Sequence, residues 1–450
     1  MISPAIDDDH SRDRGPVAPD PQTKVHPRLV AVFAALDRTG QAWVLLRGFD
    51  DLARPCGDVD LLVAPPLLPQ LDRVLAEVGM HRVLAGGRGT HRFYFDYDPV
   101  ADLWLKLDVV SDISFGNLQQ WPTALAGPCL RRRTRRHGVP MPAADDQGLL
   151  EILHLALDKG RIDLSRADAA RSAATRASLD STLLSDLDHR AGGKVRQLVQ
   201  AVSADRLAEF PALAQDLMGR LTRSAPFRSR LVALANRIKR ISSTTLAGRA
   251  GAGVTVAVMG PDGAGKTTLL TGIADSFPVT GAYVYMGLWT ASRWDGVLRR
   301  LPGGRLGQRL LRLARGGLLA RYHRIRGRLV LLDRMAYDTL LPGSVDTSVG
   351  GRLTRALALR TAPKVDVLFV LDAPGEIMYA RKGEHSVETL ETWRETYLRI
   401  ADRLPEACVL DATRPARRLR AQAVEIVWRL FVDPGAAASV RTAGLGSGPS

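Results

Sequence analysis

A chain of 450 residues is too long for one ordinary hydrophobic core, so two to three domains are expected. Its hydrophobic fraction of 46% and charged fraction of 24% are typical of globular proteins. Cys56, Cys129 and Cys408 are too widely spaced for a disulfide framework or a zinc cluster, which favours a reducing cytoplasm. The N-terminus lacks an apolar core of signal-peptide length, and no apolar run reaches the length of a membrane span, so a cytoplasmic protein is expected.

The net charge of +15 comes mainly from arginine and would suit nucleic acid, a membrane surface or polyanionic small molecules. The sequence shows no nucleic-acid recognition module with aromatic residues interleaved among basic ones. We therefore expect solvated arginines, a phosphate-bearing small-molecule substrate and no nucleic-acid partner.

The N-terminal third predicts a strand that carries two carboxylates. Residues 1–25 are polar and aperiodic, which predicts a disordered tail, and an amphipathic helix follows. Asp58 and Asp60 lie two positions apart on a strand and therefore share a face. Asp108 lies on a second apolar strand that could pair beside the first. Together they would form an oxygen-rich site for Mg²⁺, and the alternative is a solvated strand end with Asp108 as a capping residue.

This stretch resembles the nucleotidyltransferase superfamily, in which a glycine turn precedes an Asp-x-Asp strand and a third carboxylate follows on a neighbouring strand. The resemblance implies an α+β domain over residues 26–140 in which Asp58, Asp60 and Asp108 hold Mg²⁺ for nucleotide transfer. One departure is Gly48-Phe49, because the family usually has a second small residue at this turn.

Residues 141–241 keep helical spacing throughout, which predicts a helical extension packed on the first sheet. The basic run Arg131–His137 is expected to be a solvated loop. Residues 242–253 are rich in Ser, Thr, Gly and Ala, which predicts a linker between domains.

The C-terminal half is organised around a phosphate-binding loop. Val254–Met259 is a β-branched run typical of a buried strand, and Gly260–Thr267 fits G-x-x-x-x-G-K-[ST] without a gap. In such a loop the backbone N–H groups cradle phosphate oxygens, Lys266 reaches the β- and γ-phosphates, and the Thr267 hydroxyl binds Mg²⁺. The predicted ATP-binding residues are Gly260, Pro261, Asp262, Gly263, Ala264, Gly265, Lys266, Thr267 and Thr268.

Strand and helix patterns alternate after this loop, which predicts an α/β domain over residues 254–433 with a parallel sheet covered on both faces. Asp333 closes an apolar strand, where a carboxylate can hold Mg²⁺ or accept the proton of an attacking hydroxyl. Arg334 beside it could bind a phosphate of the acceptor. Arg381 and Lys382 suit a mobile lid, with a solvated basic turn as the alternative.

The sequence also predicts the structure of two further segments. Residues 299–328 are crowded with arginine and leucine and predict an amphipathic helix pair over the sheet, with cover of the acceptor site or a membrane contact as alternatives. Residues 434–450 are a Gly/Ala/Ser stretch, which predicts a disordered tail.

The C-terminal motifs together resemble thymidylate kinase and its nucleoside- and nucleotide-kinase relatives. They are the loop Gly260–Thr267, Asp333-Arg334, Leu371-Asp372-Ala373-Pro374, and the pair Arg381 and Lys382. The resemblance implies transfer of phosphate from ATP, with Mg²⁺, to a nucleotide-like acceptor. It also implies that Asp262 orients the acceptor sugar and that Arg381 is the lid arginine.

Two departures concern the acceptor. Met259 stands where thymidylate kinases usually have glutamate, and Gly287–Trp294 replaces their Arg-Glu-Pro-Gly-Gly segment, so thymidylate itself is not implied. The predicted catalytic residues are Lys266, Asp333, Arg334 and Arg381. Nucleotidyl transfer by the N-terminal carboxylates and a nucleotide-binding switch without acceptor turnover are the alternative functions. A sugar acceptor and a homodimer are also compatible with the sequence.

Overall fold

The computed structural model describes residues 25–84, 87–179, 182–250, 253–279, 281–285, 304–333, 336–341, 352, 355–356, 359–360, 363–433 and 435. The predicted disordered tails therefore lie outside the described residues, apart from Val25 and Gly435. None of the described helices combines the length and the apolar character needed to cross a bilayer.

The first five strands form a mixed N-terminal sheet. They are β1 (Trp43–Arg47), β2 (Val59–Val63), β3 (His81–Val83), β4 (Arg92–Asp98) and β5 (Leu103–Val110). The order is β1-β2-β5-β4-β3, with β2 and β5 parallel and the other neighbours antiparallel. Helices α1 (Pro27–Arg38) and α2 (Leu68–Ala76) pack on one face. Two of the strands, β3 and β4, were not predicted from the sequence.

Short elements and a helical region follow. They are the hairpin β6 (Ser114–Phe115) and β7 (Trp121–Pro122), α3 (Ala126–Arg131), the hairpin β8 (Thr134–Arg136) and β9 (Val139–Met141), and then α4 (Ala144–His154), α5 (Ala167–Arg176), α6 (Thr182–Ala191), α7 (Lys194–Ser203), α8 (Phe210–Ser224) and α9 (Pro226–Ala250). The helical region packs on Val44, Leu62 and Val110, on the opposite face of the sheet from α1 and α2.

The predicted linker is wrong for most of its length. Residues 242–250 continue α9, which starts at Pro226 and ends at Ala250. Proline suits the first position of a helix, and alanine, leucine and arginine favour its continuation, so serine and threonine at 242–245 do not stop it. The basic run Arg131–His137 ends α3 and enters the hairpin β8–β9, where most of its side chains are exposed.

The C-terminal sheet is parallel throughout, which confirms the predicted α/β architecture. Its elements are β10 (Thr255–Met259), α10 (Lys266–Ser276), β11 (Gly281–Tyr285), α11 (Gly304–Ile325), β12 (Leu329–Asp333), β13 (Val367–Asp372), α12 (Gly375–Lys382), α13 (Val387–Ala401), β14 (Ala407–Asp411) and α14 (Ala416–Val432). The strand order is β11-β12-β10-β13-β14. Within the described part of residues 299–328 there is one helix, α11, rather than the predicted pair.

The two sheets share a hydrophobic core. Alternate residues of β4 and β5 face the C-terminal half, where the Trp104 ring packs edge-on against Phe277 at 5.5 Å and Trp428 at 5.0 Å. Asp102, in the turn between β4 and β5, forms ion pairs with Arg417 at 2.9 Å and with Arg420. Helix α14 therefore lies between the two sheets and ties them together.

Candidate functional sites

The phosphate loop joins β10 to α10, and its glycines adopt conformations that other residues rarely take. The φ angles are +88° at Gly263 and +96° at Gly265. A Cβ on Gly263 would lie 2.4 Å from the Met378 carbonyl oxygen, whereas a Cβ on Gly265 would meet no atom within 4 Å. The loop is thus packed on one side and open on the other. Its open side continues into the first turn of α10, with Thr267 and Thr268, whose N–H groups suit an anion.

Lys266 is the first residue of α10, and its side chain reaches back across the loop. Nζ donates to the carbonyl oxygens of Gly260 at 2.8 Å and Pro261 at 2.9 Å, and to the Asp262 carboxylate at 3.3 Å. An ammonium group has three donors, so these bonds hold its positive charge at the rim of the loop.

Asp333 ends β12 at the same edge of the sheet as the phosphate loop. Its register partners are Val258 in β10 and Tyr285 in β11. The Tyr283 hydroxyl donates a hydrogen bond to its carboxylate. Ligands of parallel sheets bind at the carboxyl ends of the strands, which is where Asp333 lies. Arg334 and the segment 287–294 lie outside the described residues.

The turn after α12 contacts the phosphate loop through Asp262. The Lys382 ammonium lies 3.9 Å from the Asp262 carboxylate and 2.9 Å from Glu384, and His385 Nε2 lies 3.7 Å from Asp262. Ligand atoms of Asp262, Glu384 and His385 all lie within 4.8 Å of one another. Because Lys382 already offsets the charge of both carboxylates, this cluster is an ionic contact between the turn and the loop.

Arg381, the predicted lid arginine, points elsewhere in this structure. Its guanidinium donates to the Ala412 carbonyl at 3.0 Å, just after β14. Lys382 is the member of the basic pair that approaches the loop. A catalytic role for Arg381 stays a prediction.

Asp372 ends β13 and binds Arg394 of α13 at 2.5 Å. Glu391, on the same helix, accepts a hydrogen bond from the Gly375 N–H at 2.6 Å. These bonds attach α13 to the start of α12 and so fix the base of the turn that contacts the loop.

A second cluster of charged groups lines a pocket in the N-terminal half. The pocket encloses about 660 Å³, counting the solvent at its opening, and lies between the sheet and the segment around α4. Its polar lining residues include Arg47, Asp60, His91, Asp108, Asp112, Gln119, Glu151, His154 and Asp158.

The three carboxylates predicted to bind metal share one face of the sheet, since Asp60 and Asp108 are register partners on parallel strands. Each has a basic partner at 2.7 Å: Lys106 for Asp58, Arg47 for Asp60 and His91 for Asp108. Protein cations therefore already offset these charges, and a metal ion would have to displace at least one of them. Metal binding at this site stays a prediction.

The pocket contains groups whose pKa is shifted. Burial raises the pKa of Asp60 to about 6; Arg47 opposes this shift, while Asp108 and Asp58 add to it. At His91, burial acts to lower the pKa, but the hydrogen bond and the charge of Asp108 outweigh it and raise the pKa. The charge of this pocket therefore changes near neutral pH.

Sequence reasoning missed the basic partners of these carboxylates. Lys106 lies two positions before Asp108 on β5, so strand alternation could have placed it on the same face. Arg47 ends β1, which pairs with β2, but that pairing is visible only in the fold. His91 precedes β4, an unpredicted strand, and no sequence signal joins it to Asp108.

No protein-family model matches the sequence, and no curated protein matches it. Among solved structures, a thymidylate kinase from Candida albicans matches 40% of this chain and 92% of its own chain, with a TM-score of 0.32 and 13% sequence identity. A TM-score this low does not establish kinship. The parallel sheet and its phosphate loop are seen directly in this chain.

Proposed function

We propose that the C-terminal half is a phosphotransferase that moves the γ-phosphoryl group of ATP to a small, nucleotide-like acceptor. One observation carries the proposal: the phosphate loop leads into α10 beside a strand that ends in Asp333. A loop alone serves any nucleotide-binding protein. A carboxylate at the neighbouring strand end adds a group that can hold a metal or accept a proton, which transfer to an acceptor requires.

In the proposed reaction, backbone amides of residues 263–267 hold the β- and γ-phosphates, and Lys266 offsets their charge. An acceptor oxygen attacks the γ-phosphorus, the bond to the β–γ bridging oxygen breaks, and ADP leaves. Asp333 accepts the proton of the acceptor. The oxygens of Thr267 and Asp333 suit Mg²⁺, which would supply further positive charge at the phosphates. Because the protein contributes little covalent chemistry to this reaction, positioning and electrostatics account for most of the rate enhancement.

The remaining predicted residues concern the acceptor and the lid. Arg334 is proposed to bind a phosphate of the acceptor, and Asp262 to orient its sugar. Arg381 and Lys382 are proposed to add positive charge over the transferring group, and the contact of Lys382 with Asp262 supports closure of this turn onto the loop.

The test is transfer of γ-labelled phosphate from ATP to nucleosides, nucleoside monophosphates and sugars. We expect labelled product from one acceptor class. Lys266→Ala should lower transfer by about two orders of magnitude or more, since it removes the cation at the loop. Lys364→Ala is the matched control, because Lys364 is exposed and precedes β13. It therefore lies at the amino ends of the parallel strands, whereas the phosphate loop lies at their carboxyl ends. The control variant should leave transfer unchanged.

Two outcomes would favour the alternative functions. ATP binding that depends on Lys266, with only slow hydrolysis and no labelled acceptor, would contradict the kinase and favour a nucleotide switch. Release of pyrophosphate with transfer of the α-phosphate, lost in Asp108→Asn but kept in Lys266→Ala, would favour nucleotidyl transfer in the N-terminal pocket. What supports that alternative is the shared face of Asp58, Asp60 and Asp108.

A further inference from the structure

Helix α9 presents its polar side to the protein. Asn236 Nδ2 donates to the Leu118 carbonyl at 2.8 Å, and Arg240 Nε donates to the Gly87 carbonyl at 3.2 Å. Ser229 is buried on the same side. The approach is close, because a Cβ on Gly87 would lie 2.2 Å from the Asn236 carbonyl oxygen. This helix is therefore docked through polar groups rather than through an apolar face.

The apolar side of α9 faces outward. Among the side chains described on this helix, up to residue 241, five large ones are between 54% and 80% exposed and recur every three or four positions: Phe227, Leu231, Leu234, Ile238 and Ile241. We call this set the α9 stripe. Residues at that spacing form one continuous row along a helix. One exposed apolar residue is ordinary, but a continuous row of them marks a binding surface.

Helix α11 also has exposed apolar side chains, although its inner side is not polar throughout. Gly316 and Ala320 are buried on its inner side, and Arg324 binds Asp366 through two hydrogen bonds of 2.7 and 2.8 Å. Among the side chains described on this helix, from residue 315 to residue 325, the exposed large ones are Leu318, Leu319, Tyr322 and Ile325. The two helices contact each other, and the Gly253 N–H, just after α9, donates to the Arg324 carbonyl at 2.9 Å. Two neighbouring helices thus expose apolar residues that an ordinary fold would bury.

Both helices are basic. Arg228, Arg230 and Arg237 are exposed beside the α9 stripe, and Arg315 and Arg321 are exposed on α11. Neither helix sequence contains an aspartate or a glutamate. The partner of this surface must therefore offer negative charge together with an apolar layer.

We propose that the α9 stripe, extended by the exposed residues of α11, binds the surface of an anionic lipid bilayer. A helix lying in that surface buries its apolar side at the boundary between headgroups and acyl chains, while its arginines contact lipid phosphates. A second copy of the chain fits less well, because pairing two stripes would bring their arginines together with no acidic residue beside them. A nucleic acid would contact the arginines through its phosphates, but it would leave the row of apolar side chains exposed to water.

The test is co-sedimentation of the full chain with vesicles of phosphatidylcholine alone, or of equal parts phosphatidylcholine and phosphatidylglycerol. We expect binding to the anionic vesicles to be about tenfold tighter or more, and to weaken as salt is added. The double variant Leu231→Gln/Ile238→Gln should weaken binding to anionic vesicles by about tenfold, because it interrupts the apolar row.

Leu164→Gln is the matched control, since Leu164 is 95% exposed and lies outside both helices. It should bind vesicles like the wild type. ATP binding should be unchanged in all variants, which shows that the fold is intact and separates this proposal from the phosphotransferase.

Equal binding to both kinds of vesicle, or binding to neither, would overturn the proposal. A wild-type dimer in sedimentation equilibrium that the double variant dissociates, without vesicle binding, would assign the surface to a second copy instead. Tighter binding to a DNA duplex than to anionic vesicles would likewise overturn it.

Discussion

The two sheets carry their charged sites in different ways. The C-terminal site is a run of consecutive residues, Gly260–Thr267, in which backbone groups and one lysine do most of the binding. The N-terminal pocket is assembled from side chains on β1, β2, β5 and the segment around α4, and it includes the pairs Arg47–Asp60 and His91–Asp108. A site made by local backbone conformation can be recognised in sequence, whereas a site made by convergence depends on the fold. The predictions below test that contrast.

The largest effect is expected at the loop backbone. Gly263→Ala would place a Cβ against the Met378 carbonyl at a φ of +88°, so the loop must move. We expect ATP-dependent transfer to fall by about three orders of magnitude, or ~4 kcal/mol. Gly40→Ala is the matched control, because Gly40 has a φ of +67° and no atom within 4 Å of a Cβ. A similar loss of transfer in both variants would contradict a local role for the loop.

The next effect concerns the core that the sheets share. Trp428 is 4% exposed and packs on Trp104 of the N-terminal sheet. Trp428→Ala should lower the free energy of unfolding by about 3 kcal/mol and keep one cooperative transition, followed by circular dichroism in urea. Trp121→Ala, at a half-exposed position away from this core, should cost less. Two separate transitions in the wild type would show that the halves fold independently.

A pH-dependent effect is expected in the pocket. The pKa of Asp60 is about 6 in the folded chain against an ordinary 3.8, so the folded state binds the proton more tightly. The free energy of unfolding should therefore fall as pH rises from about 4 to about 6 and stay lower above it. Asp60→Asn should raise stability at pH 8 by about 2 kcal/mol and have little effect at pH 4, in thermal melts across pH.

The control for that experiment is Asp168→Asn, because the Asp168 side chain is fully exposed. It should leave the pH profile as it is. A stabilisation by Asp60→Asn that is the same at every pH would show that the loss of charge is not its cause.

The smallest effect separates Arg381 from Lys382, the two basic residues at the end of α12. Lys382→Gln removes the ammonium beside Asp262 and should lower kcat/KM by about fivefold, or ~1 kcal/mol. Arg381→Gln removes a bond to the Ala412 carbonyl and should have a smaller effect on kcat/KM. The reverse order would support Arg381 as the lid arginine, as the family resemblance implies.

Much of the fold could be predicted, because its signals are local. The alternation of strand and helix patterns after the phosphate loop predicted a parallel C-terminal sheet, since each of its strands is a short apolar run between helical patterns. β4 was missed although three glycines precede it, Gly86, Gly87 and Gly89, and although its consecutive aromatic residues Phe93, Tyr94 and Phe95 favour a strand. The linker was misjudged because serine and threonine also occur in the last turns of a long helix.

The same distinction, between local sequence signals and contacts made only by the fold, applies to the two sites. The position of Asp333 could be predicted because it ends an apolar strand, and the phosphate loop because its motif is a run of consecutive residues, Gly260–Thr267. The partnership of His91 with Asp108 could not, because it joins a residue outside any strand to one on β5. The outward stripe of α9 was also beyond prediction. Its periodicity is that of a buried face, and only the contacts of Asn236 reveal which side the protein covers.

The contact of α14 with β4 and β5 has a consequence for biosynthesis. Asp102 and its partner Arg417 are separated by 315 positions, and Trp104 and Trp428 are similarly far apart. At about 5–20 residues per second, synthesis of the chain between these partners takes roughly 15 to 60 s. During that time the aromatic side of the N-terminal sheet is not yet covered by α14. An exposed sheet face of that kind is a natural substrate for a co-translational chaperone.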